Sequence, residues 1–399
     1  MYFDSAATSF PKPKEVKKAI SNFFEQELGS FQRTDTENSD FIYETRRKLS
    51  DFFNVESPSS IVFTSNSTES LNIIIQGFLK NGDHVITTAT EHNSVIRPLV
   101  KVKHEKNIQI TWVKCDKYGF VNPDDIISSI KDNTKLVIMN HGSNVTGQVQ
   151  DVEQVGQRLQ KYDGKIKFLV DISQTAGHIK IDNSKIQADF LAFTGHKALL
   201  GVPGIGGFYI NPKVDLPPFK VGGTGVLSEL LEQPKAVPLK YESGTLNSLG
   251  VLSLYHSLDY LNSLTTDKIA SDLKKKTCYF LDRLSKMENL EIYSLENPLG
   301  IISFNIRGIV PSRISHFLSK DLDLQCRTGL LCAPFIHEFI HNNPFGCVRL
   351  SMSYETTWEE INVVCEYLKN INEQAESIQN IKFPEIYEMP SIKNMEEYV

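Results

Sequence analysis

The apolar run Phe190-Leu-Ala-Phe193 has the length of a strand. It ends in Thr194-Gly-His196 and then presents a lysine, Lys197, ahead of Ala198, Leu199 and Leu200. An amine among apolar neighbours holds its proton less tightly than one in water, and a free amine is what condenses with a carbonyl to form a Schiff base. Lysines in loops are ordinarily solvated surface groups, so the chemistry rests on what accompanies this one. Asp171 closes the run Phe168-Leu-Val-Asp171, His92 follows a strand-like run by a few residues, and Asn144 follows another. Ser67 and Thr68 stand where an apolar-periodic helix begins, and hydroxyls with free backbone N–H groups at such a start form an anion site. The same residues also serve as ordinary helix caps. A lysine, a carboxylate, an imidazole and an anion cradle match the needs of a phosphorylated aldehyde cofactor. Such a cofactor takes a Schiff-base amine, an acid facing its pyridine nitrogen, a surface for its ring and a phosphate site.

These residues need a scaffold that brings them together, and the periodicity supplies one. Apolar spacing predicts helices over 13–28 and 38–53, a strand over 61–64 and a helix through Leu79. Strands over 85–88, 108–113, 136–139 and 168–171 then alternate with helices over 94–104, 123–131 and 152–162. Alternation of this kind predicts an α/β domain with a mainly parallel sheet covered by helices. In such sheets functional groups collect beyond the carboxyl ends of the strands. The segment Gly201-Val-Pro-Gly-Ile-Gly-Gly207 precedes the strand 208–210 instead of following one, which is the wrong order for a dinucleotide fingerprint. Its glycines read as backbone flexibility around Lys197. After a helix over 251–261 the pattern changes to a helix over 267–285, strands over 290–293, 301–306, 324–327 and 347–351, and helices over 313–318 and 358–368. That pattern fits a smaller α+β domain. Residues 372–399 carry six Glu against two Lys and no clear periodicity, and are expected to form a loosely held acidic extension.

A length of 399 residues points to two packed domains. No apolar run approaches the roughly 20 residues that span a bilayer, and Met1-Tyr-Phe-Asp4 lacks the basic and apolar regions of a signal peptide. The expectation is a cytoplasmic protein without a membrane partner. A formal charge of -6 and the lack of a long Lys/Arg cluster give no footprint for nucleic acid. Cys115, Cys278, Cys326, Cys332, Cys347 and Cys365 include no pair at the spacing of a zinc or thioredoxin motif, so no metal is expected.

Eight motifs carry a resemblance. Thr64-Ser-Asn-Ser-Thr-Glu69, Glu91-His-Asn-Ser94, Ser143-Asn-Val-Thr-Gly147, Asp171-Ile-Ser-Gln174, Thr194-Gly-His-Lys197 and Glu242-Ser-Gly-Thr245 occur in the order found in class V aminotransferase-fold enzymes. Within that group, Arg327-Thr-Gly-Leu-Leu-Cys-Ala-Pro334 and Val348-Arg-Leu-Ser351 resemble the cysteine desulfurases of the SufS-like branch. The resemblance runs from Tyr2 to about Leu368. It implies a fold-type I transferase dependent on pyridoxal 5'-phosphate, with a large domain built on a mainly parallel seven-stranded sheet and a smaller α+β domain. The implied division is an N-terminal segment 1–15 packing with the small domain, a cofactor-binding domain 16–262, a small domain 263–371 and the extension 372–399.

The resemblance also implies roles. Lys197 would be the Schiff-base lysine, Asp171 the partner of the pyridinium and His92 the residue stacked on the ring. Gln174 and Asn144 would lie beside the ring hydroxyl or the substrate. Ser67, Thr68, Thr194 and His196 would hold the phosphate, joined by Thr245 from the other subunit of a homodimer. Arg349 would clamp the substrate carboxylate, a task suited to a guanidinium, and Arg327 would lie near the substrate and the thiol. The implied reaction converts L-cysteine to L-alanine with sulfur passing to Cys332 as a persulfide. From there it would go to an acceptor protein of the kind that feeds iron–sulfur cluster assembly. Many desulfurases of this branch carry histidine just before the reactive cysteine, whereas Leu330 and Leu331 stand there in this chain. Cys332 is expected on a loop between a strand ending near Arg327 and the turn opened by Pro334, able to reach a substrate and then carry sulfur outward. A selenocysteine lyase or an aminotransferase of the same fold, and a scaffold that kept the fold without the chemistry, remain as alternatives.

Overall fold

Runs rich in Val, Ile, Leu and Phe without polar alternation suit strands covered on both faces. They form a seven-stranded sheet from β1 (Ile61–Thr64), β2 (His84–Thr88), β3 (Gln109–Val113), β4 (Thr134–Asn140), β5 (Lys167–Asp171), β6 (Phe190–Thr194) and β7 (Gly206–Ile210). The spatial order is β1-β7-β6-β5-β4-β2-β3. β7 runs antiparallel to both β1 and β6, and the other neighbours pair in parallel, so every strand but β7 points the same way. Successive residues face opposite sides. Val137 and Met139 of β4 join one core, and Leu136 and Ile138 join the other. The computed structural model of the chain describes residues 1–25, 40–375 and 378.

Helices α1 (Lys14–Phe23), α2 (Asp40–Phe53), α3 (Ser67–Phe78), α4 (Asn93–Lys106), α5 (Pro123–Ser128), α6 (Val152–Leu159) and the single turn α7 (Asn183–Ile186) accompany this sheet. Then follow α8 (Ser248–Leu264) and α9 (Thr266–Leu284). A second, antiparallel sheet contains β8 (Leu290–Ile292), β9 (Ile301–Ile306), β10 (Arg327–Gly329) and β11 (Cys347–Ser351), in the order β10-β11-β9-β8. It is accompanied by α10 (Pro311–Leu322), the single turn α11 (Ile336–Phe339) and α12 (Trp358–Glu373). The N-terminal strip lies along this second sheet: Phe3 N–H donates to the Gln325 carbonyl at 2.9 Å and Ser351 N–H to the Phe3 carbonyl at 2.7 Å. Phe3 itself is fully buried.

Several boundaries differ from the periodicity. The helix expected to end at Leu28 ends at Phe23, and residues 26–28 lie outside the described part, as does nearly all of the extension 372–399. α5 stops three residues early because Ser128 and Ser129 both turn their hydroxyls back onto the Asp125 carbonyl, which competes with the next helical turn. The strand expected over 324–327 instead begins at Arg327. Leu324 N–H caps α10 through the Leu318 carbonyl, and Gln325 pairs with the N-terminal strip, so the apolar signal at Leu324 reflects burial under a helix. The single turns α7 and α11 are too short to carry a period.

Candidate active site

Beyond the carboxyl ends of the co-directional strands lies a cavity of about 230 Å³. Every expected site residue except Thr245 lines it. β1 leads to Ser67 and Thr68, β2 to His92, β4 to Asn144, β5 ends in Asp171, and β6 ends in Thr194 just before His196 and Lys197. Arg327 and Arg349 face each other in register on β10 and β11 and enter from the second sheet with Cys332.

The anion cradle depends on close approach. Asn66 caps α3 by accepting from Glu69 N–H at 3.0 Å. Its backbone passes so near β7 that a Cβ on Gly206 would lie 2.7 Å from Asn66 Cα, and one on Gly207 would lie 2.4 Å from the Val62 carbonyl oxygen. Gly206 and Gly207 are therefore contact points, whereas Gly204, at φ 91°, uses the backbone freedom that the sequence suggests. Thr68 Oγ1 and Ser94 Oγ, 2.7 Å apart, join the starts of α3 and α4. Thr194 Oγ1 and His196 Nδ1 are buried and have no hydrogen-bond partner in the protein.

Lys197 is held by its backbone. The carbonyl of His196, the peptide that precedes it, accepts from Ser9 N–H at 3.0 Å, from the hydroxyls of Thr8 and Ser9, both at 3.1 Å, and from Lys12 Nζ at 2.9 Å. Burial pulls the Lys197 ammonium down to about 8, against the opposing pull of Asp171. Asp171 Oδ1 accepts from Ser173 N–H at 2.9 Å, Ser173 Oγ at 2.5 Å and Ser67 Oγ at 3.4 Å, and none of these bonds uses Oδ2. Nearby Glu91 is fully buried, and burial raises its carboxyl to about 8, against the hydrogen bonds from Thr88 and Asn140 N–H that favour its charged form. His92 Nδ1 accepts from Ser94 N–H at 3.0 Å, which places the ring proton on Nε2. Burial and the positive charges of Lys197 and Arg327 lower it to about 4, so the ring is neutral.

Arg349 is 2% exposed. One Nη donates to the Asn144 carbonyl at 3.0 Å and the other to Asp4 Oδ1 at 2.6 Å, while Nε is buried without a protein partner. Cys332 Sγ lies 3.8 Å from Arg327 Nη2. Its backbone is not a loose loop: Leu331 and Cys332 both adopt left-handed φ values, 52° and 60°. Asn144 Nδ2 holds the Leu331 carbonyl at 2.7 Å and Asn93 N–H holds the Cys332 carbonyl at 2.7 Å. Cys332 thus lies on the expected connection between β10 and the turn at Pro334, with its carbonyl and that of Leu331 both hydrogen-bonded.

Asp4, Ser94, Ser173 and the N-terminal Ala6 and Ala7 also belong to this neighbourhood, and sequence reasoning gave them no role. Ser94 and Ser173 lie within the motifs Glu91-His-Asn-Ser94 and Asp171-Ile-Ser-Gln174, whereas Asp4, Ala6 and Ala7 had only the stretch Tyr2-Phe-Asp-Ser-Ala-Ala7. Thr245 is exposed and away from the cavity. Among the described residues no His, Cys, Asp and Glu are grouped so as to hold a metal. Hydroxyls at a helix start, two unmet buried polar atoms, a weakly basic buried lysine and a carboxylate with an unused oxygen fit a phosphorylated pyridine aldehyde.

The family Aminotransferase class-V matches residues 1–364 of the chain. A curated relative from Methanothermobacter thermautotrophicus, named probable cysteine desulfurase, is 34% identical over 93% of this chain and 94% of its own. Another from Borreliella burgdorferi, with the same name, is 32% identical over 93% of this chain and 91% of its own. Among solved structures, the apo cysteine desulfurase from Thermococcus onnurineus superposes with a TM-score of 0.87 at 29% identity, covering 94% of each chain.

Proposed function

The chain belongs to the class-V aminotransferase family, and from that premise we propose that it is a pyridoxal phosphate-dependent cysteine desulfurase. It converts L-cysteine to L-alanine and takes the sulfur onto Cys332 as a persulfide. The observation that carries this reading is the presence of Cys332, Lys197 and Arg349 on one small cavity, with the thiol beside the Arg327 guanidinium.

When bound, pyridoxal phosphate supplies an aldehyde for an amine and a ring that accepts an electron pair from the substrate carbon. Ser67, Thr68, Thr194 and His196 would hold its phosphate, and Asp171 would face its ring nitrogen. The neutral His92 ring, its tautomer fixed by Ser94, would cover a face of the ring without adding charge. Arg349 receives the substrate carboxylate, using N–H groups left over from Asp4 and Asn144, and Asn144 and Gln174 border the same space. A Lys197 amine near 8 can both take and return a proton around neutral pH. The Arg327 guanidinium lies 3.8 Å from Cys332 Sγ, beside the sulfur that receives the transfer. The net change balances without an oxidant. The substrate Cβ–S bond breaks, its electron pair stays on Cβ with a proton, and the sulfur joins Cys332 Sγ.

A homodimer completes the account. Thr245 is exposed, and the preceding loop exposes Phe219, Val221, Leu230 and Leu231, which supports a second copy docking there and lending Thr245 to its neighbour's site. An acceptor protein then collects the sulfur for uses such as iron–sulfur cluster assembly. Among the described residues no helix is long and apolar enough to cross a membrane, and a cytoplasmic location is proposed on the sequence grounds above. The proposed division after residue 262 falls in the last turn of α8, just before Thr265 opens α9.

The test is incubation of cofactor-loaded protein with L-cysteine and a thiol reductant. Equal amounts of alanine and sulfide are expected. Pyruvate, or alanine without sulfide, would contradict the reading, and the same assay with L-selenocysteine separates a selenocysteine lyase.

A further inference from the structure

The turn that carries Cys332 has an interior support that none of the expected roles uses. His337, in α11, is fully buried. Its Nε2 lies 3.0 Å from the Leu330 carbonyl, and its Nδ1 lies 2.7 Å from the Asn342 side-chain atom placed as Oδ1. A carbonyl only accepts, so Nε2 carries the ring proton and Nδ1 needs a donor. Asn342 Nδ2 is otherwise buried without a partner, so the amide orientation that satisfies both residues turns Nδ2 toward Nδ1. Burial lowers the basicity of His337, in keeping with a neutral ring. With the Asn342 amide's O and N exchanged in this way, Nδ2 donates to Nδ1 and Nε2–H donates to the Leu330 carbonyl.

That carbonyl is the hinge point of the Cys332 turn. It also accepts from Ala333 N–H at 2.9 Å, closing a turn across Leu331 and Cys332, the two consecutive left-handed residues. Such a conformation is unfavourable for a non-glycine residue and persists where the surroundings over-determine it. Here three consecutive carbonyls are held from three directions: Leu330 by His337, Leu331 by Asn144 and Cys332 by the start of α4. Asn144 and α4 belong to the cavity wall already described. His337 is outside it, since it touches neither the cavity nor the thiol.

We propose that His337 is a positioning residue that fixes the Leu331–Cys332 turn through the Leu330 carbonyl and so aims the Cys332 thiol at the substrate sulfur. The proposal rests on the desulfurase reading for its catalytic consequence but not for its structural one. It also accounts for how a cysteine preceded by Leu330 and Leu331 keeps its orientation: the imidazole acts from behind the turn on its backbone.

Two substitutions separate positioning from simple packing. His337→Leu keeps much of the volume and removes both bonds, whereas His337→Gln places an amide N–H at a comparable reach and can restore the bond to Leu330. In the holoenzyme, His337→Leu should lower kcat about 10- to 100-fold, the scale of a misplaced reacting group, with KM for L-cysteine within about twofold. His337→Gln should recover most of kcat. Hydrogen–deuterium exchange of the peptide containing Ala333 should speed up in the Leu variant and return toward the parent rate in the Gln variant. Cofactor absorbance and circular dichroism check that each variant is folded and loaded. Unchanged exchange and kcat in His337→Leu, or a Gln variant as impaired as the Leu variant, would overturn the proposal. If the parent protein itself makes no alanine, the desulfurase reading fails, and the exchange measurement still decides whether His337 holds the turn.

Discussion

Arg349→Gln removes the group assigned to the substrate carboxylate, and the structure sets the expected size of the effect. The guanidinium is 2% exposed and already spends one bond on Asp4, at 2.6 Å, and one on the Asn144 carbonyl, at 3.0 Å. Its Nε–H has no protein partner. A substrate carboxylate therefore gains at least one charge-assisted bond, worth about 1.5–3 kcal/mol, or about 10- to 150-fold in affinity. Steady-state kinetics on L-cysteine should show kcat/KM falling by about that factor, mostly through KM, while absorbance of the loaded cofactor is unchanged. The substitution also leaves Asp4 without its cation, so the variant should melt lower than the parent. Asp4→Asn serves as the control: it shares the loss of the ion pair but keeps the cation, so its kcat/KM should fall less. A kcat/KM for Arg349→Gln within about twofold of the parent, in a folded and loaded protein, would refute the assignment.

Reaction of the apo-protein with pyridoxal phosphate should follow the lowered basicity of Lys197. Below about 8 the rate should rise about tenfold per pH unit as the free amine accumulates, then level off. A rate still climbing toward pH 10, or a reduced adduct mapped to another lysine, would exclude it. Glu242→Ala strips the bidentate partner from buried Arg46, with bonds of 2.8 and 2.6 Å, and the acceptor from Phe63 N–H. A broken buried pair costs about 3–5 kcal/mol, so calorimetry should show Tm lower by about 5–10 °C, and a shift under about 1 °C would contradict that packing. Thr245→Ala should weaken cofactor retention without changing the monomer fold. Light scattering showing an active, loaded monomer would remove the shared site.

The residues at strand ends were the legible part of the site. Asp171, Thr194 and Lys197 follow continuous apolar runs, so the alternation that predicts the sheet also predicts where they gather. Asp4 was illegible because its partner Arg349 lies at the far end of the chain, 345 residues away, and no local period reports such a pairing. His337 was missed for a related reason. A four-residue turn has no periodicity, and a buried histidine bonded to a carbonyl looks in sequence like any other histidine. Gly206 and Gly207 were visible but misread, since close approach to Asn66 and Val62 is a tertiary fact. The loop at Cys332 was legible, but nothing in Leu330-Leu-Cys-Ala-Pro334 announces that its carbonyls are held from three sides.

The central claim is that Cys332 takes sulfur from the substrate. Cofactor-loaded parent protein and Cys332→Ser should be mixed with L-cysteine without reductant and examined by mass spectrometry of the 327–334 peptide alongside alanine release. The account predicts that the parent peptide becomes heavier by one sulfur atom as about one alanine per site appears. The serine variant should still show the cofactor's spectral response to cysteine yet release little alanine. Alanine and sulfide from the serine variant at the parent rate, or an added sulfur on a different cysteine, would contradict it.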